Sequence, residues 1–157
     1  MTTKTIRQED AIAGVLERVP QILEEAVAIG SGLRDVKSIV RGDSLNFNPD
    51  TPALWVFPGE ARCDHERRAI GETWHVPITL VAVVLMTRPQ EHVPRAIRIV
   101  SEAMRLIVKD RRIGLNYVQD VVKTGMVFRA QRSPDKRTGL YAASGNLDVT
   151  VNIRECD

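Results

Sequence analysis

The first apolar pattern has the period of a helix. Ile12, Val15, Leu16, Val19, Ile22, Leu23, Ala26 and Val27 recur at three- and four-residue steps, while Glu17, Arg18, Glu24 and Glu25 fall on the other side. This spacing predicts an amphipathic helix over 7–29. Pro20 interrupts it, because proline lacks the N–H and crowds the carbonyl four residues back, at a cost of about 3 kcal/mol in a helix interior. The apolar phase continues beyond Pro20, so either a kinked helix or a second helix with Pro20 in its first turn is expected. Gly30 and Gly32 then end it. From there the period falls towards two. Strands are predicted at about 34–41, at 53–57 and, most strongly, at 72–87, where Trp74, Val76, Ile78, Leu80, Ala82, Val84 and Met86 share one face. The segment 60–71 is polar and reads as a long hairpin connection or frayed strand.

A second helix is predicted over 90–110, with Pro94 tolerable near its start. Its polar residues Arg95, Arg98, Glu102, Arg105 and Lys109 lie opposite Ile97, Val100, Ala103, Met104 and Ile107. Two closing strands are predicted over 117–128, where Val118, Val122, Met126 and Phe128 can share a face, and over 140–154, where Leu147, Val149, Val151 and Ile153 alternate with polar residues. Residues 129–139 read as a polar loop. Short connections favour antiparallel pairing. The expectation is a single α+β domain over 1–157, a mostly antiparallel sheet with two amphipathic helices packed on one face.

The reverse face of the longest strand does not fit that arrangement. It begins with His75 and Thr79 but continues as Val81, Val83 and Leu85, where a face without helices should be polar. Either the sheet curls over itself or another subunit covers these residues.

Composition narrows the function classes. The chain has 157 residues, enough for one self-sufficient core, and its 22 basic against 20 acidic residues do not announce nucleic acid as the main partner. The longest apolar run, 80–86, is far short of the roughly 20 residues of a membrane span. No signal peptide is expected from the first ten residues, and Cys63 and Cys156 form no disulfide framework. Cys63, Asp64, His65 and Glu66 are four potential metal ligands in a row, but neighbours in an extended segment alternate sides, so at most two reach one ion. The same segment has no nucleophile-elbow pattern, and no glycine spacing cradles phosphate. No metal, cofactor or catalytic residue is expected, and no enzyme. The helix-two stripe reads as a solvated face laced with ion pairs, and the chain is poor in stacking aromatics, 4%. Arg129, Arg132, Lys136 and Arg137 make the last loop the most basic segment.

The order of elements is the remaining clue. An amphipathic helix, the segment Pro52-Ala-Leu-Trp-Val-Phe-Pro58, a charged hairpin into the long strand 74–86, a helix ending in Lys109-Asp-Arg-Arg112 and two closing strands follow one another. This layout resembles the tail terminator (tail-completion) proteins of long-tailed bacteriophages and related head–tail joining proteins. The resemblance covers nearly the whole chain and rests on element order and length. It implies a virion protein, assembled in the host cytoplasm, that forms a ring of about six copies through two different patches per subunit. Such a ring caps the tail tube protein and docks to the head connector or neck protein, with at most transient, non-specific DNA contact and no membrane. A kinked first helix would be a departure from that family. Val81, Val83, Leu85, Arg129, Arg132, Lys136 and Arg137 are the expected subunit or partner interface. The alternatives are a head-side neck protein, a ligand-binding domain using 63–66, or a nucleic-acid-binding module using the basic loop.

Overall fold

The structure is a computed structural model and describes residues 6–42, 50–64, 71–86, 89–132 and 139–153. Helix α1 spans Gln8–Ala28, followed by strands β1 (Ser38–Arg41), β2 (Ala53–Pro58), β3 (Arg62–Asp64) and β4 (Glu72–Met86). Helix α2 spans Pro89–Val108 and leads to β5 (Val118–Arg132) and β6 (Gly139–Ile153). The strands form one sheet in the order β1-β2-β4-β6-β5, with β3 beside the first part of β4. The two-helix, one-sheet α+β architecture is the one that the hydrophobic pattern predicts.

α1 runs as one helix through Pro20, which is buried, so the expectation of a second helix beginning there is overturned. Burial of Val15, Val19, Leu23 and Ala26 on one stripe holds the helix together across the missing N–H. Glu9 and Asp10 occupy the first turn, where carboxylates favour the helix dipole. Gly30 closes the other end at φ 71°: its N–H bonds to the Val27 carbonyl, and that of Ser31 to Ala26. Those two bonds make a Schellman cap, which requires the left-handed residue glycine supplies.

The helices bury one face of the sheet. Val76, Ile78, Leu80, Ala82 and Val84 of β4, with Leu147, Val149, Val151 and Ile153 of β6, pack under Ile99, Val100, Ala103, Met104 and Ile107 of α2 and the stripe of α1. α2 lies especially close to β6 at Gly145, where a Cβ would stand 2.3 Å from Met104 Sδ and 2.9 Å from Val100 Cγ1. α1 is seated similarly: a Cβ at Gly14 would meet the Tyr117 hydroxyl, and Arg18 Nε donates to the Ile113 carbonyl at 2.9 Å. Ile113 itself is buried at φ 49°, a strained conformation for a β-branched residue, held by the Arg112 and Gly114 amides donating to the Asp110 carboxylate and by the core around its side chain.

Four expectations are corrected. β1 pairs with β2 in parallel, Ser38 beside Ala53 and Arg41 beside Val56, where antiparallel pairing was expected; the Lys37 amide donates to the Pro52 carbonyl at 2.8 Å and the Gly42 amide to the Val56 carbonyl at 3.1 Å, which fixes the parallel register at both ends. β1 starts at Ser38 because 32–35 form turns rather than strand. Val118 and Met126 share the helix-side face, opposite Val151 and Gly145, but Val122, opposite Asp148, lies on the other. Register shifts between Val118 and Asp120 and between Lys123 and Gly125 each insert a residue, so Val118 and Val121 are buried while Val122 and Met126 are exposed. Finally, the ladder between β5 and β6 continues to Arg132 opposite Gly139, so most of the expected loop 129–139 is strand or lies outside the described residues.

Gly145→Val tests the helix–sheet contact. Overpacking against Val100 and Met104 is expected to destabilise the protein by about 1–3 kcal/mol, and Leu80→Ala by about 2–5 kcal/mol, both read from urea midpoints at constant m-value.

Candidate functional site

The two helices leave the other face of the sheet without a helical layer, and the register divides that face in two. On one half, polar side chains pair across strands. Thr73 bonds to Asn152 at 3.0 Å, and Asn152 donates to Gln119 at 3.0 Å. His75 Nδ1 lies 2.9 Å from Asp148 Oδ2 and 3.5 Å from the Thr150 hydroxyl, and Thr79 donates to Asn146 at 2.9 Å. His75 and Asp148, with Glu60, Arg62 and Pro77, line a cleft of about 330 Å³.

The other half is apolar. Val40, Trp55, Val81, Ser144 and Val127 are successive cross-strand partners over all five main strands, and Ala53, Val83 and Ala142 lie beside them one step on. Val40, Ala53 and Trp55 form a second small core with Phe57, Val81 and Val83 packed against it, and the Trp55 and Phe57 rings stack with centroids 5.8 Å apart. Leu85 stands 46% exposed at the end of this patch. Val81, Val83 and Leu85 thus come together with β2 residues that sequence reading left in a short strand. The period-two pattern of 53–57 held the signal, since Ala53, Trp55 and Phe57 alternate with Leu54 and Val56.

The basic candidates are not gathered at one place. Arg129 and Arg132 lie on β5, whereas Lys136 and Arg137 lie outside the described residues. The helix-two stripe is no plain solvated face. Arg95 and Arg98 both reach Asp35 Oδ2, at 3.1 and 2.9 Å, and clamp α2 to the turn after α1; Arg105 grips Glu102 with two bonds. Asp35 went unnoticed in the sequence because a lone aspartate after Gly32 looks like any turn residue. Its second oxygen, Oδ1, is buried without a partner.

The chemistry available here is limited. Cys63 lies opposite Trp74, and desolvation together with Glu72 and Asp64 pushes its thiol pKa up, away from the reactive thiolate. His65 and Glu66 lie outside the described residues. Among the described residues no group of three or more His, Cys, Asp or Glu could hold a metal ion, and no helix is long and apolar enough to cross a membrane. What the face provides is a patterned surface with an apolar patch beside a polar ladder.

No family model matches the sequence, and no curated protein does. The fold is similar to that of a chain in a solved structure described as the virion of a native gene transfer agent (GTA) particle, with TM-score 0.55 and 12% identity over 90% of this chain and 98% of that one. At that identity the likeness is one of fold.

The ion pairs carry a pH signature. Burial alone would raise the Asp35 pKa, but the Arg95 hydrogen bond, its own backbone amide and the charges of Arg98 and Arg95 outweigh this and lower it. The Arg105 fork lowers Glu102 despite desolvation, and the Arg111 fork, two bonds of 3.0 Å, lowers Asp120 likewise. A carboxylate with a depressed folded pKa stabilises the fold above its unfolded value, near 4, and loses that contribution as pH falls through the folded value. Thermal melts are therefore expected to show stability dropping below about pH 4, with a smaller drop in Asp35→Asn; an identical pH profile in that variant contradicts the clamp.

Proposed function

We propose that this chain is a structural protein of a virion: a ring-forming tail terminator at the head-proximal end of a tail tube, joining the tail to the head connector. The observation that carries the reading is the likeness to a chain of a virion particle, which runs through nearly the whole of both chains and excludes little of either. The half-buried apolar patch, open at Leu85 and Val127, supports it physically. A protein that works by surfaces needs a patch for a neighbour, and a head-to-tail ring needs two different ones on each subunit. Val81, Val83 and Leu85 lie in one of them, and the basic residues Arg129 and Arg132 supply polar contacts to a neighbouring protein. The partners are further copies of the chain, the tail tube protein and the head connector or neck protein. Contact with DNA is transient and non-specific, because phosphate contacts by Arg and Lys carry no sequence information.

Deleting the coding sequence from a particle-producing genome tests this. Separate filled heads and free tails of irregular length are the expected products by electron microscopy. Free tails of normal length assign the protein to the head-side neck instead, and joined, functional particles overturn the virion role.

Substitution tests the patch. Leu85→Asp, at a side chain 46% exposed, is expected to leave the melting temperature nearly unchanged and to abolish joining of heads to tails. Val83→Asp is expected to give a folded monomer with the same defect. Unfolding by Val83→Asp together with normal assembly of Leu85→Asp makes the patch plain core.

A further inference from the structure

β5 forms one edge of the sheet, and its two halves are built differently. Over 118–125 two register shifts break the ladder, and Asp120 and Lys123 stand among them. Bulges and charges are the means by which an edge strand refuses a further strand. Over 126–132 neither bulge nor proline occurs, and the two charges, Arg129 and Arg132, are of one sign, which admits a strand that brings the opposite sign: the ladder runs regularly from Met126 opposite Gly145 to Arg132 opposite Gly139. Met126 and Val127, which point to opposite faces, are 38% and 42% exposed. With Val122 they account for three of the five large hydrophobics exposed among the described residues, and Leu85 is a fourth. At 126 and 127 the edge is thus apolar on both faces, as a strand inside a sheet is. Yet among the described residues nothing pairs with the outer side of this one.

We propose that the outer edge of 126–132 accepts an extended segment of another virion protein, which adds a strand to the sheet and brings acidic residues to Arg129 and Arg132. The proposal rests on the virion reading above and names a contact within it. Backbone hydrogen bonds supply affinity in such strand addition, and the side chains on alternate positions supply selectivity. Charge identifies the occupant. Residues 126–132 carry Arg129 and Arg132 and no acidic residue. A second copy of the chain is a poor fit. Its open edge β1 follows Lys37 and ends at Arg41, its β3 is only three residues long, and two β5 edges would set arginines against arginines. Like charges directly opposite in a sheet destabilise the pair.

Hydrogen exchange with mass spectrometry on the free chain and on purified particles tests the edge. Outward-facing amides of 126–132 are expected to exchange fast in the free chain and to slow roughly a hundredfold in the particle, as unpaired amides become ladder amides. Presence of the chain in particles with unchanged exchange overturns the proposal alone. Absence of its peptides from particles overturns the virion reading, and the proposal with it. A photo-crosslinking residue at position 127 tests the occupant: an adduct with an Asp- or Glu-bearing peptide of a different virion protein supports it, and an adduct with a second copy overturns it. The double variant Arg129→Glu, Arg132→Glu is expected to lower incorporation roughly tenfold without changing the melting temperature, and Arg129→Lys, Arg132→Lys to restore most of it. Equal incorporation of all three proteins overturns the acidic partner.

Discussion

Everything in this fold depends on the contact between α2 and the middle of the sheet. β4 and β6 are its central strands, and α2 lies on them so closely that Gly145 has no room for a side chain. That contact decides which face of the sheet is interior. Once Val76, Ile78, Leu80, Ala82 and Val84 are under the helices, strict alternation sends Val81, Val83 and Leu85 to the opposite side. The apolar patch is therefore no accident of a greasy strand. It is a second hydrophobic commitment on a face that the fold's own helices do not reach, and Trp55 and Val40 only partly discharge it.

The clamp at Asp35 complements this contact. Two arginines from α2 converge on one carboxylate in the turn between α1 and β1, so the helix that covers the centre of the sheet also fixes the turn leading into its edge. Ile113 and Arg18 make the corresponding link at the far end of α2. Both links use polar groups at the rim of an apolar interface, where hydrogen bonds to charged groups are worth about 1.5–3 kcal/mol each.

How much of this was legible in the sequence varies with the kind of physics involved. Periodicity alone identified both helices, the long strand and the last strand, because each buries one face and repeats without interruption. The first helix was legible even through Pro20, since its apolar phase never broke. β5 was misread for the opposite reason: two inserted residues shift its phase, so counting by twos from Val118 leads to the exposed Val122 in place of the buried Val121. The parallel pairing of β1 was invisible, because nothing in Ser38-Ile-Val-Arg41 encodes strand direction. The apolar patch was half legible, as an oddity of β4; its completion by Trp55 and Val40 needed the register. The arginine clamp was not legible at all, because it depends on a carboxylate some sixty residues from its partners, 60 and 63 positions away.

The seating of α1 bears on how the chain reaches this structure. The partners of Gly14 and Arg18 are Tyr117 and the Ile113 carbonyl, the latter 95 positions further along. Glu72 at the start of β4 likewise waits for Ile153 near the chain's end. Contacts of such sequence separation carry a large loop-closure entropy and fold slowly. The stripe of α1 packs on α2, β1 and β2 as well as on β6, so its seating against Tyr117 and Ile113 is completed only when these distant segments are in place. Until then the stripe is partly open, and a chain with an open apolar stripe is prone to aggregation and to chaperone capture.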